Sequence, residues 1–166
     1  VTVTALLDAL DAGGDATALA EVPGLVWRSD GKITINAPAP LIKDLDADLH
    51  GNVWDLLPME KYRAHNWQCF GALETRIPYA SIYTSLGCPY KCTFCCINAP
   101  FDVNRYRLLK PENVVAEIAL LRETHGVKTF KFIDEMFVLN EKHVMAVCDG
   151  IIERGLDDLN IWAYAR

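Results

Sequence analysis

The sequence lacks a long apolar run and lacks an excess of basic residues. No stretch of its 166 residues approaches the roughly 18 consecutive apolar residues that a membrane-spanning helix needs, so we expect no membrane partner. The 16 Lys and Arg residues are outnumbered by 22 Asp and Glu residues, which gives a formal net charge of −6. That balance argues against a nucleic-acid partner, because binding to phosphates requires a surface rich in Lys and Arg.

A secretory signal peptide is also missing from the sequence. The chain begins with Val1 instead of methionine, and residues 161–166 have the pattern of a strand that no turn or cap follows. We therefore expect a fragment that is cut at both ends. Because no secretory signal is visible, a reducing cytoplasm is the expected location.

The composition predicts a folded protein with cysteines placed for a metal. Apolar residues make up 51% of the chain and charged residues 23%, which is enough apolar material for a core in one domain of ordinary size. Four cysteines lie within residues 88–96, and that spacing suits a metal better than a disulfide framework. The six cysteines are Cys69, Cys88, Cys92, Cys95, Cys96 and Cys148.

The first half of the chain reads as a helix, a hairpin and a connector. Leu6, Leu7 and Leu10 give the helix an apolar stripe, which ends at two glycines. Residues 24–35 have the pattern of a hairpin that turns at residues 29–31. Residues 37–79 contain four prolines and little sustained periodicity, which is typical of a connector.

The second half alternates strands and helices. Predicted strands occupy residues 80–85, 127–133 and 161–166. The order of strand, loop, helix, strand, helix and strand implies parallel strands with right-handed crossovers, and hence an α/β sheet or barrel. Chemistry in such folds gathers at the carboxyl ends of the strands.

The two helices between these strands have recognisable ends. Pro111 suits the first turn of the first helix, and Gly126 ends it. Asn140 is placed to cap the second helix, and Gly155 ends it. The expected buried stripe of the first helix is Val114, Ile118 and Leu121. The expected buried stripe of the second is Val144, Val147 and Ile151.

The cysteine loop has the spacing Cys88-x-x-x-Cys92-x-x-Cys95. A [4Fe–4S] cluster usually takes four thiolates, one for each iron, so a loop that offers three leaves one iron open to another ligand. The neighbouring Gly87 is suited to forcing the turn. Spacing alone does not choose between Cys95 and Cys96 as the third ligand.

A zinc site is the main alternative for these cysteines. Structural zinc requires four ligands, which commonly come as two closely spaced pairs. The second pair is missing here, and buried inert cysteines are a further alternative. A zinc-binding interaction module therefore remains a separate hypothesis, since the other donors are scattered singly: Cys69, Cys148, His50, His65, His125 and His143.

The loop resembles the signature of the radical SAM superfamily, in which an aromatic residue directly precedes the third cluster ligand. Phe94 occupies that position, so the resemblance implies Cys88, Cys92 and Cys95 as ligands and gives Cys96 no role. Residues 84–92 are similar to the first strand and loop of the cobalamin-dependent branch of the superfamily. Residues 45–48 and 54–59 resemble its interdomain connector.

The resemblance implies a division of the chain into three parts. Residues 1–36 look like the last helix and hairpin of a Rossmann-like cobalamin-binding domain. Residues 37–79 correspond to the interdomain connector. Residues 80–166 correspond to the first three β/α units of a radical SAM core, which is the N-terminal half of a partial (β/α)6 TIM-like barrel.

The resemblance also implies which residues bind S-adenosylmethionine (SAM). In this superfamily the turn after the second strand holds the amino group of SAM, which assigns that role to Asp134 and Glu135. A carboxylate suits an ammonium group because the two form a charge-assisted hydrogen bond. Arg166 would pair with the SAM carboxylate through its planar guanidinium. Phe94 would line the adenine or the cluster.

The implied activity is reductive cleavage of SAM at the [4Fe–4S] cluster to a 5′-deoxyadenosyl radical, followed by cobalamin-dependent methyl transfer to an unactivated carbon. The implied partners are a small-molecule substrate and a reductant such as ferredoxin or flavodoxin. The alternative within the same branch is a cyclase or rearrangement enzyme of the anaerobic porphyrin-ring cyclase type. Because three strands cannot close a barrel, we expect this fragment to be inactive alone.

Overall fold

The computed structural model describes residues 2–49, 51–99 and 103–165. The chain divides into two compact units, the first ending at Ile42 and the second beginning at Lys43. The first unit includes residues 37–42 of the predicted connector, and the second unit includes the remainder of it. Within the described residues, no helix is both long enough and apolar enough to cross a membrane.

The first unit contains the predicted helix and hairpin, and between them a second, short helix that was not predicted. The two hairpin strands pair antiparallel, with Ser29 opposite Lys32 across the turn. Asp30 and Gly31 form that turn with φ angles of 49° and 77°, the left-handed conformation that a two-residue hairpin turn requires. The elements are α1 (Thr2–Asp11), α2 (Ala16–Ala20), β1 (Val26–Ser29) and β2 (Lys32–Ile35).

Asn36 joins the hairpin to the helical part of the first unit. Its side-chain amide donates hydrogen bonds to the carbonyl oxygens of Leu19 and Val22, at 2.7 and 2.8 Å. Its carbonyl oxygen accepts a hydrogen bond from the indole of Trp27 at 3.1 Å. One polar side chain thus satisfies two backbone groups and one side chain.

The second unit carries a parallel sheet with two long helices, and short 3-10 helices fill the connector before it. The connector helices are Trp54–Leu56, Met59–Lys61, Asn66–Cys69 and Leu73–Thr75. The other elements are α3 (Leu45–Asp48), β3 (Tyr79–Ile82), β4 (Ser85–Leu86), β5 (Arg107–Leu108), α4 (Pro111–His125), β6 (Thr129–Phe132), a fifth 3-10 helix (Phe137–Leu139), α5 (Glu141–Glu153) and β7 (Asn160–Ala163).

The main sheet confirms the predicted parallel α/β arrangement. Its strand order is β3-β6-β7, and all neighbours run parallel, with Ser81 opposite Lys131 and Lys131 opposite Trp162. The core includes side chains of one sheet face, among them Phe130 and Phe132, together with the buried faces of α4 and α5. Burial of these apolar surfaces is the main stabilising contribution to this unit. The predicted (β/α)6 barrel stays a prediction.

Both predicted helices are confirmed, with one change in the buried face. Helix α4 has Pro111 in its first turn and ends at Gly126, whose φ angle of 70° is the left-handed conformation of a helix C-terminus. Helix α5 is capped by Asn140, whose side chain accepts a hydrogen bond from the backbone N–H of His143 at 3.0 Å. His143 is buried, whereas Val144 is half-buried.

The predicted strand at residues 80–85 is interrupted. Strand β3 ends at Ile82, and residues 85–86 form β4, which pairs antiparallel with β5. The interruption has a physical cause, because the backbone N–H of Thr84 donates to the carboxylate of Asp134 instead of to a neighbouring strand. Strand β6 ends just before that carboxylate, so both strands lead to the same edge of the sheet.

Candidate active site

The cysteine loop leaves the sheet through a glycine that no other residue can replace easily. Gly87 has a φ angle of 84°, a conformation that side chains rarely adopt. A Cβ atom at this position would overlap the carbonyl oxygen of Arg105, which belongs to the chain returning from the loop. The backbone therefore passes Arg105 closely just before Cys88.

Two asparagines close the loop by bonding its backbone carbonyls. The side chain of Asn98 donates to the carbonyl oxygen of Cys88 at 2.8 Å and to that of Tyr90 at 3.4 Å. The side chain of Asn104 also donates to the carbonyl oxygen of Tyr90. The sequence analysis missed Asn98, since an asparagine in a polar loop carries no signal that separates this role from simple exposure.

The predicted cluster ligands lie on one loop, but they do not converge. A turn between Cys92 and Cys95 is closed by a backbone hydrogen bond of 3.1 Å. Cys88 and Cys92 are half-buried, whereas Cys95 and Cys96 are exposed. Among the described residues, no three His, Cys, Asp or Glu side chains are close enough together to hold one metal ion.

The chemistry of the donor set nevertheless fits an iron–sulfur cluster. Thiolates are the soft ligands that such clusters take, and three of them on one short loop leave one iron for an outside ligand. Phe94, the aromatic residue before Cys95, is 92% exposed. Its ring is therefore available to a ligand beside the loop and does not belong to the apolar core.

Asp134 is fully buried and holds the two residues that precede the loop. Its carboxylate accepts hydrogen bonds from the backbone N–H of Thr84 at 2.7 Å, the hydroxyl of Thr84 at 2.6 Å and the hydroxyl of Ser85 at 2.5 Å. The relative exposure of Asp134 is 0%. In this structure its carboxylate has no surface for SAM, so the geometry does not support the predicted direct contact.

His143 extends this buried network from helix α5. The hydroxyl of Thr84 donates its only proton to Asp134, so it must accept a hydrogen bond from Nε2 of His143, at 3.0 Å. Burial lowers the pKa of His143, which favours the neutral ring, although Asp134 opposes this shift. We therefore assign neutral His143 the tautomer with its proton on Nε2. The sequence named His143 only among the scattered possible zinc donors, and gave no sign of this contact.

Glu135 connects the end of β6 to the start of the cysteine loop. Its carboxylate accepts a hydrogen bond from the backbone N–H of Gly87 at 3.1 Å. The residue is half-buried, so part of its surface remains accessible, unlike that of Asp134. Arg166, which the resemblance places at the SAM carboxylate, lies outside the described residues.

Sequence comparison finds relatives among methyltransferases and cyclases, and no family model matches the sequence. An uncharacterized methyltransferase of Pyrococcus horikoshii is 33% identical over 157 residues, which cover 95% of this chain and 31% of the relative. An anaerobic magnesium-protoporphyrin IX monomethyl ester cyclase of Synechocystis is 32% identical over 155 residues, which cover 93% of this chain and 28% of the relative. The chain thus spans less than a third of the length of these relatives.

A solved structure supports the fold. The radical S-adenosylmethionine methyltransferase TsrM from Kitasatospora setae, determined with cobalamin and a [4Fe–4S] cluster bound, matches with a TM-score of 0.61. The identity is 24%, and the match covers 96% of this chain and 31% of that protein. At this identity the likeness concerns the arrangement of helices and strands.

Proposed function

We propose, since the chain belongs to the radical SAM superfamily, that its cysteine loop holds a [4Fe–4S] cluster and that the whole protein is a cobalamin-dependent methyltransferase. Cys88, Cys92 and Cys95 would hold the cluster. The observation that carries this proposal is the hydrogen bond from the backbone N–H of Gly87 to the carboxylate of Glu135. It connects the acidic turn after β6 to the start of the cysteine loop.

When bound, the cluster supplies the electron for reductive cleavage of SAM, and cobalamin supplies the methyl group that is transferred. The chain's own residues would orient SAM. The accessible part of the Glu135 carboxylate would accept a hydrogen bond from the SAM ammonium group, with the added attraction of opposite charges. Phe94 would lie against the adenine, and Arg166 would pair with the SAM carboxylate.

For Asp134 we propose a positioning role instead of a cofactor contact. Because it accepts all three hydrogen bonds from Thr84 and Ser85, it fixes the backbone at Thr84, four residues before Cys88. Its neighbour Glu135 is then held at the loop by the same turn. In this way one buried carboxylate would set the position of one half-buried carboxylate and of the first cluster ligand.

The remaining parts of the proposal concern the whole protein. Residues 1–36 would be the end of a cobalamin-binding domain, residues 37–79 the connector, and residues 80–166 the first three β/α units of the barrel. The partners would be a small-molecule substrate and a reductant of the ferredoxin or flavodoxin type, in the cytoplasm.

A cyclase is the second candidate, because one of the relatives at more than 30% identity carries that name. The two activities differ in the fate of the methyl group. With methyl-labelled SAM or methylcobalamin, a methyltransferase places the label in the product, whereas a cyclase does not. Product analysis of the whole protein with labelled cofactor therefore separates them.

The cluster proposal is tested by replacing one cysteine at a time. The protein is reconstituted anaerobically with iron and sulfide, and both are measured together with the electron paramagnetic resonance of the reduced cluster. Cys95→Ser should lose most of its iron, because one of three thiolates is gone, whereas Cys96→Ser should retain it. Addition of SAM should change the resonance of the parent protein.

The contrary results are distinct from one another. Retention of iron by Cys95→Ser together with loss by Cys96→Ser would reassign the third ligand. Binding of zinc without iron or sulfide under the same anaerobic conditions would favour the zinc-binding interaction module. A resonance that SAM leaves unchanged would contradict an iron that is open to SAM.

A further inference from the structure

One face of the main sheet carries polar and aromatic side chains in register. The core includes Phe130 and Phe132 together with the buried faces of α4 and α5. Alternation along a strand places Ser81, Lys131 and Trp162 on the opposite face, and the pairing of β3, β6 and β7 puts these three residues side by side. This row therefore lies on the face away from those phenylalanines.

Aromatic rings surround the lysine of this row. The ring centroids of Trp162 and Tyr164 are 4.4 Å apart, and those of Trp162 and Trp67 are 4.9 Å apart, both in edge-to-face geometry. Trp67 is 51% exposed and Tyr164 is 43% exposed. We call Trp67, Lys131, Trp162 and Tyr164 the aromatic–lysine face. Its half-exposed rings offer apolar area to a flat ligand.

The ammonium group of Lys131 lies among these rings, and no carboxylate of the described residues forms an ion pair with it. Its Nζ atom is 4.9 Å from the ring centroid of Trp162 and 5.1 Å from that of Tyr164. Its hydrogen bond to the hydroxyl of Tyr164 is long, at 3.4 Å, and a lysine has three N–H donors. The ion pairs of the described residues join Arg122 and Lys128 to Asp158, and Lys131 takes no part in them.

From this arrangement we propose that the aromatic–lysine face is a substrate subsite for a flat, conjugated molecule that carries a carboxylate or another anionic group. The rings contribute stacking and edge contacts, and Lys131 contributes a charge-assisted hydrogen bond. The inference rests on the proposed function, since it names a substrate class for that enzyme. The carboxyl ends of β3 and β6 lead to the cysteine loop and to Glu135, so the subsite and the proposed chemistry share these two strands.

The subsite is tested with a matched pair of probes on the iron-free protein. The probes are 2-naphthoate and 2-naphthalenemethanol, which share the ring system and differ in charge, and binding is measured by calorimetry and by tryptophan fluorescence. The parent protein should bind naphthoate more tightly. Lys131→Met should weaken naphthoate binding about tenfold and leave the alcohol unchanged, because only the charged hydrogen bond is lost.

Control variants separate this effect from a change in fold or in overall charge. Lys128→Met also removes one positive charge, but this lysine already pairs with Asp158 at 2.9 Å, so naphthoate binding should not change. Lys131→Arg keeps the charge and should retain most of the affinity. Added salt should weaken naphthoate binding and spare the alcohol.

Three results would overturn the subsite. The first is equal affinity of the parent protein for naphthoate and the alcohol, and the second is unchanged naphthoate affinity in Lys131→Met. The third is displacement of naphthoate by SAM with loss of SAM binding in Lys131→Met, which would assign the lysine to the SAM carboxylate. The binding measurements use iron-free protein, so their result does not depend on the cluster. Failure of the cluster proposal is detected separately, by the iron content after reconstitution.

Discussion

The base and the tip of the cysteine loop are built in opposite ways. The loop base, which comprises Thr84, Ser85 and Gly87, is buried and donates hydrogen bonds to the carboxylates of Asp134 and Glu135. The loop tip is residues 92–96, in which Cys95 and Cys96 are exposed, together with Phe94. The protein thus fixes the start of the loop with its own contacts and leaves the segment that carries two of the three predicted ligands, Cys92 and Cys95, closer to solvent.

This difference teaches which part of the site folds without a cofactor. Buried and fully bonded polar groups hold a unique conformation, because each alternative leaves a donor or an acceptor unsatisfied. Exposed thiols have no such constraint, so the free energy of metal binding can organise them. We therefore expect substitutions in the base to affect the iron-free protein, and substitutions in the tip to affect only the cluster.

The largest effect is expected for Gly87→Ala. The new Cβ atom must enter left-handed backbone space and also overlap the carbonyl oxygen of Arg105, so the free energy of unfolding should fall by about 3 kcal/mol or more. Chemical denaturation of the iron-free protein measures this. Gly71→Ala is the matched control, because Gly71 has a φ angle of 91° but no atom within 4 Å of the added carbon.

That control should lose only about 1–2 kcal/mol from the backbone conformation. Phe94→Ala in the tip should change the stability of the iron-free protein by no more than about 0.5 kcal/mol, since the side chain is 92% exposed. Equal losses in Gly87→Ala and Phe94→Ala would abolish the distinction between base and tip.

A smaller loss is expected for Asp134→Asn. The amide replaces one acceptor oxygen by a donor and faces three donors from Thr84 and Ser85, so at least one hydrogen bond to a charged group is lost. The free energy of unfolding should fall by about 2–3 kcal/mol. Hydrogen exchange of the amide of Thr84 should accelerate in the same variant, because the charged acceptor of that N–H is replaced by a neutral amide.

Asp158→Asn is the control for Asp134→Asn. Asp158 accepts from Arg122 and Lys128 at the surface, and its side chain is 48% exposed. An exposed ion pair of this kind contributes at most about 1 kcal/mol. If both aspartate variants lose the same stability, the network around Asp134 does not anchor the loop base.

The sequence predicted most of the helices and strands but not the network below the loop. Glycine, proline and asparagine mark the ends of α4 and α5, and these local signals act within a few residues. Asp134 and Thr84 are 50 residues apart, and neither residue type announces a partner at that distance. From the sequence alone, a buried carboxylate at a strand end cannot be distinguished from an exposed carboxylate that contacts a ligand.

Asp134 and Glu135 are adjacent in the sequence but differ in burial. The resemblance assigned both carboxylates to SAM because they are adjacent at the end of β6. Neighbouring residues at a strand end point in different directions, so one enters the core and the other stays half-exposed. Which of the two enters the core depends on the register of β3 and β6, and that register follows from tertiary packing.

The smallest effect is the pH dependence that His143 gives to the loop base. Burial lowers the pKa of His143 below its ordinary value, so the folded protein holds the ring neutral while the unfolded chain takes up a proton near its usual pKa of about 6.5. The stabilisation is therefore present above pH 6.5 and is lost as the pH falls below it. The free energy of unfolding, measured by denaturation, should decrease from pH 7.5 to pH 5.5 by less in His143→Gln than in the parent. Glutamine can donate a hydrogen bond to Thr84 but does not titrate. The other histidines are common to both proteins and cancel in this difference, so equal decreases would remove His143 from the network.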